Sequence, residues 1–366
     1  MTSVFDLSWL IDTLGDHGAA AAGGIAVGAM FGFFAQRSRF CLRSAVIEFG
    51  GGAVGPKMAV WLLVFSAAVT ATQLLAEAQL FDPWQTRQLS ARGSLSGAVI
   101  GGLAFGVGMI LARGCPARLL VLSANGNLRA LLSGLVFAVV GQASLRGVLA
   151  PLRDVIAGWV TVDTHERLSL LSLLGLDAGR GWMLGLVFLA LAVWAVRHSG
   201  LPARRALFSV GTGLAVGAAW WFTYSLAQAA FTIVPIEAIS FTGPSANTLM
   251  LVLSPGPSWF SFDVGLVPGV VLGSYLSAVT AGELRLEGFR DGQSMRRYIV
   301  GAVLMGFGGM LAGGCAVGAG VSGGALFAVT AWSTLTCIWI SATLTDVLLD
   351  RGERPLSAAR PALPPP

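Results

Sequence analysis

The stretch GGLAFGVGMILARGC at residues 101–115 recurs 200 residues later as GAVLMGFGGMLAGGC at residues 301–315. Seven of the fifteen positions are identical, and both copies end on one of the four cysteines of the chain. Two shorter pairs follow the same order in both halves: GIAVGA (24–29) with GLAVGA (213–218), and SAAVTA (66–71) with LSAVTA (276–281). Short matches arise by chance in Gly- and Ala-rich sequence, but the long match is much harder to explain in that way. The sequence therefore predicts an internal repeat whose copies each carry a Gly-Cys element.

The composition of the 366 residues places this repeat in a membrane. Apolar residues make up 55% of the chain and charged residues only 11%, whereas soluble proteins carry about 25% charge. The 49 glycines also suit the close helix packing that occurs in lipid. A secreted disulfide scaffold, a nucleic-acid-binding protein and a disordered chain are all excluded. The chain is predicted to be a multi-pass protein of the lipid bilayer.

A helix needs about 20 mostly apolar residues to cross a bilayer. Nine segments are predicted to do so: 18–36, 57–78, 94–112, 128–150, 182–197, 206–223, 264–283, 297–312 and 324–346. Four pieces between them are apolar and Gly-rich but too short or too broken to cross: 40–50, 113–124, 224–253 and 313–323. Irregular backbone at membrane depth must be buried in protein or line a watery cavity. These four pieces are therefore predicted to be re-entrant.

The fold class follows from combining the spans with the repeat. We expect an all-α polytopic membrane protein in which four spans, one extra span and four further spans follow one another. The extra span at 182–197 inverts the second copy relative to the first. Inverted repeats whose broken helices meet near the middle of the bilayer are typical of transporters.

Basic residues predict the orientation and the boundaries. Of the 23 Lys and Arg residues, 17 fall on one side of the predicted spans and 6 on the other, which favours an outside N-terminus and an inside C-terminus. The predicted segments are a periplasmic N-terminus (1–17), a first repeat (18–150), a linker with one span (151–205), a second repeat (206–346) and a disordered cytoplasmic tail (347–366).

The two Gly-Cys elements are the candidate functional residues. Cys115 follows Gly114 and precedes Pro116, which suits the first position of a helix. Cys315 follows Gly314 and precedes a Gly-rich run. Each cysteine is expected at the N-terminus of a short re-entrant helix, where free N–H groups favour an anion. With the two copies inverted, the tips would face each other along one axis.

Cys41 is the third candidate, in the segment QRSRFCLRSA (36–45). Its three arginines, Arg39 among them, allow two interpretations: a basic cytoplasmic loop, or an arginine-lined anion site that contains a thiol. Cys337 lies inside the last span and is interpreted as a small buried apolar residue. No CxxC pair and no neighbouring His is present, so no metal site or cofactor is predicted.

These motifs carry a family resemblance. The SRFC segment, RGCPARLLVLSANGNLR (113–129) and GGCAVGAGVSG (313–323) resemble the YeeE/YedE family of bacterial inner-membrane proteins. The resemblance implies uptake of thiosulfate through a nine-span, hourglass-shaped fold, with three cysteines on a central pathway. Carried over by motif, those cysteines are Cys41, Cys115 and Cys315. It also implies a small cytoplasmic sulfur-carrier protein as partner. One departure is the Pro-Ala-Arg that follows the first Gly-Cys, in place of Gly-rich sequence.

The chemistry of thiosulfate agrees with such a site. Backbone N–H groups can hold the oxyanion end of this dianion, while a neutral thiol donates its S–H to the soft terminal sulfur. Related family members are associated with selenium or other sulfur compounds, so these stay open as substrates. Two other functions also stay open. An intramembrane enzyme that forms a persulfide would need a positioned base, and a plain anion channel would need no thiols.

Overall fold

The computed structural model describes residues 8–162, 168–173, 175, 181–254, 260–288 and 292–350. It is an all-α polytopic membrane protein, with one pair of two-residue strands. The α-helices are α1 (Ser8–Ser38), α2 (Leu42–Gly50), α3 (Pro56–Glu77), α4 (Arg87–Ser90), α5 (Leu95–Leu111), α6 (Pro116–Ala124), α7 (Leu128–Arg146), α8 (Ala150–Ala157), α9 (Leu170–Leu173), α10 (Gly181–Ser199), α11 (Ala203–Ala229), α12 (Thr242–Leu253), α13 (Phe262–Ala281), α14 (Gly292–Leu311) and α15 (Val329–Thr345). The shorter elements are a 3-10 turn (Pro83–Gln85), β1 (Gly93–Ser94) paired with β2 (Thr161–Val162), and two π-helical turns (Gly318–Gly323 and Asp346–Asp350).

Every predicted span coincides with a helix. Within the described residues, eight helical segments are long and apolar enough to cross a membrane. The helix α14 covers the ninth predicted span, at 297–312. It is not among these eight helices, because its first turns are polar. The last span begins at Val329 rather than at residue 324, because the chain before it is still turning back from the second Gly-Cys element.

Both ends of the described chain are more helical than the sequence suggests. The first helix already begins at Ser8, within the predicted N-terminal segment, and Gly15 breaks its regular backbone with a φ of 69°. At the other end, a π-helical turn continues the last helix through Asp350. The rest of the predicted tail, 351–366, lies outside the described residues.

Close helix packing depends on glycines that face backbone. A Cβ atom on Gly24, Gly28 or Gly32 of α1 would collide with carbonyl oxygens of α13, and Gly265, Gly269 and Gly273 of α13 face carbonyls of α1 in the same way. Glycines at every fourth position allow two helices to approach to backbone contact. In the predicted repeat α11 corresponds to α1 and α3 corresponds to α13. These two helices, α11 and α3, also pack together, with Gly213 against the carbonyl of Val64.

The helices that lead into the two Gly-Cys elements cross each other reciprocally. A side chain on Gly101 would strike the carbonyl oxygen of Gly308, and one on Gly308 would strike that of Gly101. Gly108 and Gly301 exclude each other's side chains in the same way. The contacts therefore exchange partners between positions 200 residues apart, which is the pattern of a pseudo-two-fold axis. The inverted repeat stays a prediction that this packing supports.

Candidate functional site

The chain reaches each of the three cysteines Cys41, Cys115 and Cys315 through the same backbone turn. Two residues before each cysteine the backbone is left-handed: Arg39, Arg113 and Gly313 have φ of 57°, 56° and 74°. The next residue closes the helix end by donating its N–H to a carbonyl five residues back: Phe40 to Ala35 (3.2 Å), Gly114 to Met109 (3.2 Å) and Gly314 to Gly309 (2.9 Å). These bonds satisfy carbonyls that a helix end would otherwise leave unpaired. A long helix can thus stop at membrane depth.

A new helical turn starts at each cysteine. The backbone carbonyls of Cys41, Cys115 and Cys315 accept the N–H groups of Ala45, Leu119 and Ala319 at 3.2, 2.9 and 2.8 Å. Cys41 and Cys115 are the N-caps of α2 and α6, and Pro116 occupies the first turn of α6 as expected. After Cys315 the chain forms a π-helical turn at Gly318–Gly323 instead of an α-helix. The short helix predicted at Cys315 is therefore a π-helical turn that begins three residues after the cysteine, where successive glycines carry no side chains to hold one geometry.

The structure brings the three cysteines together. All three are buried and unoxidised, and Cys115 lies within electrostatic range of both Cys41 and Cys315. Cys337 is set apart from them on α15, where its Cβ faces Gly102 of α5. Among the described residues, no three His, Cys, Asp or Glu side chains converge as a metal site would require.

Cys315 sits in a cradle of donors that the sequence did not reveal. Its sulfur accepts the backbone N–H of Gly318 at 3.4 Å and also interacts with the backbone N–H of Phe241 and the hydroxyl of Ser240. The hydroxyl of Ser322 donates to the carbonyl of Ile239 at 2.7 Å, which ties the two re-entrant segments together. The only sequence signal for Ser240 and Phe241 was their place in the broken piece at 224–253.

A cavity of about 690 Å³ opens beside Cys315; we call it the Cys315-side cavity. Its wall includes Ser240 and Gly318, together with two carboxylates and two guanidinium groups: Glu237, Asp263, Arg87 and Arg146. The amide of Asn247 donates to the carboxylate of Asp263 at 3.2 Å. Withdrawal from water raises the pKa of Glu237 well above its usual range, and the neighbouring Asp263 raises it further.

A second cavity, of about 450 Å³, opens beside Cys115 and Cys41; we call it the Cys115-side cavity. It is lined by Gln36, Arg39, Arg118, Leu122, Asn125, Asn127, Gly282, Glu283, Arg285 and Glu287. Helix α7 begins after Asn127 in this wall and ends at Arg146 in the wall of the other cavity. The two cavities therefore open at opposite ends of a bilayer-length helix. The three cysteines are buried and line neither cavity, but chain neighbours of each line one of them.

Of the other predicted site residues, Arg39 lines the Cys115-side cavity, whereas Gly114, Gly314 and Pro116 line neither cavity. The Arg39 side chain is 63% exposed and forms an ion pair with Glu283 at 3.3 Å, so it faces the mouth of the Cys115-side cavity and does not surround the Cys41 thiol. Gly114 and Gly314 are buried where each turn packs beneath its cysteine, outside the walls of both cavities. The exposed Arg39 fits the interpretation of this segment as a basic loop, whereas the buried Cys41 fits the interpretation as a site that contains a thiol.

The chain is similar in sequence to known proteins. A family model described as sulphur transport matches residues 37–344. A protein of Escherichia coli K12 named thiosulfate transporter TsuA is 26% identical over 92% of this chain and 97% of its own length. A protein of the same name from Spirochaeta thermophila is 26% identical over 84% of this chain and 93% of its own.

Proposed function

Because the chain belongs to the sulphur transport family, whose model spans most of its length, we propose that it is a transporter that carries thiosulfate across a membrane. Family membership confirms the resemblance seen in the three cysteine motifs. The similarity to two proteins named thiosulfate transporters supports this substrate. The observation that carries the proposal is the burial of three free cysteines whose chain neighbours line two cavities at opposite ends of α7.

Thiosulfate would enter the Cys315-side cavity and meet Cys315 first. The donors around that sulfur, which are the N–H of Gly318 and Phe241 and the hydroxyl of Ser240, suit the oxyanion end. A neutral thiol donates its S–H to the terminal sulfur, while a thiolate would repel a dianion. The anion then passes to Cys115 and Cys41 by exchanging non-covalent partners, since Cys115 lies within range of both other thiols. No bond to sulfur is made or broken in this mechanism, so the protein acts as a transporter without an enzymatic step.

The direction of transport is proposed from charge. The 17 to 6 split of basic residues supports a periplasmic N-terminus and a cytoplasmic C-terminus in a bacterial inner membrane. The Cys315-side cavity then faces the periplasm and the Cys115-side cavity faces the cytoplasm. A small sulfur-carrier protein at the cytoplasmic mouth would accept the sulfur compound after release.

The experiment is uptake of radiolabelled thiosulfate by the full chain reconstituted in liposomes. We expect saturable uptake that excess thiosulfate inhibits and that sulfate, which lacks the soft terminal sulfur, inhibits far less. Liposomes without protein give the background. Uptake no faster than background would contradict the proposal, and equal inhibition by sulfate would favour a plain anion channel.

A further inference from the structure

Arg118 is a half-buried cation that the mechanism above does not use. It lies in the first turn of α6, three residues after Cys115, and lines the Cys115-side cavity. Its Nη1 is buried and has no hydrogen-bond partner among the residues that the structure describes. A guanidinium nitrogen that is withheld from water without a partner is costly. This nitrogen therefore points to an anion that occupies the cavity.

The neighbouring wall already holds an anionic oxygen. Gln36 is only 4% exposed, and its Nε2 donates to a carboxylate oxygen of Glu283 at 2.8 Å. The guanidinium of Arg39 contacts the other oxygen of Glu283 at 3.3 Å. The Oε1 of Gln36 is buried and unpartnered within the described part of the chain. A buried amide and an exposed guanidinium of this wall thus donate to the two oxygens of a charged group, as binding of a transported oxyanion would require.

We propose that Arg118 is the main element of an oxyanion-binding site in the Cys115-side cavity, which takes the oxygen end of the substrate dianion on its way out. This inference rests on the proposed function and assigns a residue to its release step. Arg118 lies within electrostatic range of the Cys115 thiol, so one anion can meet the thiol with its terminal sulfur and the guanidinium with its oxygens. The planar fork of Arg presents several donors to adjacent oxygens.

The second repeat has no cation at the position equivalent to Arg118. The position 200 residues after Arg118 is Gly318, which lines the Cys315-side cavity with backbone alone. The wall of the Cys315-side cavity balances two Arg against two carboxylates. The wall of the Cys115-side cavity carries three Arg against two carboxylates, and Glu283 is paired with Arg39. An excess of Arg over carboxylates is therefore found in the wall of the Cys115-side cavity and not in that of the Cys315-side cavity.

The test compares Arg118→Gln with Arg285→Gln in the full-length protein. Arg285 lines the same cavity but is exposed, so the two variants lose the same charge and differ in burial. The probe is thiosulfate, and the first readout is the concentration that gives half-maximal binding to the purified protein, measured by titration calorimetry. The second is uptake into liposomes at the concentration that half-saturates the wild type.

For Arg118→Gln we expect the half-maximal concentration to rise about tenfold or more, as for loss of a hydrogen bond to a charged group. Uptake should fall in parallel, and Arg285→Gln should have a several-fold smaller effect on both readouts, because the charge that it removes is exposed to water. Equal behaviour of the two variants would overturn the inference. If Arg118→Gln does not fold, Arg118→Lys decides: a rise of about threefold or more supports the site, because Lys lacks the fork, and an unchanged value overturns it. A wild type that neither binds nor transports thiosulfate would instead overturn the proposed function, and the inference with it.

Discussion

The two Gly-Cys elements, 113–118 and 313–318, share a backbone and differ in what they offer to a ligand. Both begin with a left-handed residue and both close the preceding helix with an N–H that reaches five residues back. Beyond the cysteine they diverge. The first continues as a regular α-helix that starts with Pro116 and presents Arg118, whereas the second forms a π-helical turn at Gly318–Gly323.

The shared turn and the residues that follow the cysteine therefore have different roles. The turn places a cysteine at the end of a broken helix in both copies, and the three residues after it decide the local chemistry. Around Cys315 the donors are backbone N–H groups and the Ser240 hydroxyl, which bind an anion without adding net charge. Beside Cys115 the donor is a full cation. The two Gly-Cys elements are therefore not equivalent for a dianion, since the first presents a cation and the second presents neutral donors.

The largest expected effect comes from removing either thiol. Cys115→Ala and Cys315→Ala should each reduce thiosulfate uptake to background, because both cysteines lie on the buried part of the path. Cys337→Ala is the control, since Cys337 lies between α5 and α15 and away from the path. Thermal unfolding should show that all three variants are folded. Normal uptake by Cys115→Ala would refute the thiol mechanism and favour a channel.

Replacing the equivalent glycines Gly114 and Gly314 by alanine should lower the stability of the protein by different amounts. A Cβ on Gly314 would lie 2.7 Å from the backbone nitrogen of Ala319, whereas one on Gly114 would lie 3.3 Å from a methyl carbon of Leu119, which can move. Gly314→Ala should destabilise the protein by about 1–3 kcal/mol, the usual effect of overpacking, and should impair uptake. Gly114→Ala should cost less than about 1 kcal/mol, the range of changes that a core accommodates by repacking. Chemical or thermal unfolding of both variants measures this. Equal losses would mean that the second turn is as adaptable as the first.

Orientation decides which Gly-Cys element meets the incoming anion. Single reporter cysteines near residues 10, 160 and 245, placed in a chain without native cysteines, should react with an impermeant thiol reagent added outside intact cells. Reporters near 288 and 355 should react only after the membrane is opened. Labelling at 288 from outside would reverse the orientation and the proposed direction of transport.

The amino-acid sequence predicts the helices and the candidate cysteines of this protein better than it predicts which distant residues contact each other. The spans, the re-entrant pieces and the three cysteines follow from local hydropathy and from the repeat, and the structure has helices at each predicted span. Pairs such as Arg39 with Glu283 or Cys315 with Ser240 join residues far apart in the chain, and no local pattern encodes them. Arg118 was visible only as a departure from the Gly-rich pattern, because the absence of a partner is a property of the folded cavity.

The smallest expected effect is a pH dependence that belongs to one cavity. The raised pKa of Glu237 has two causes, withdrawal from water and the carboxylate of Asp263, while Arg87 opposes them; Arg146 also lines this wall. Glu237 is therefore neutral below its raised pKa and becomes an anion as the pH rises through it. An added negative charge repels a dianion, so wild-type uptake should fall, by about twofold or more for a partly screened charge, as the medium becomes alkaline.

Glu237→Gln should keep uptake high and flatten this profile. Glu287→Gln changes an exposed carboxylate of the other cavity and should leave the wild-type profile intact. A profile that Glu237→Gln leaves unchanged, or that Glu287→Gln flattens equally, would place the titrating group elsewhere on the path.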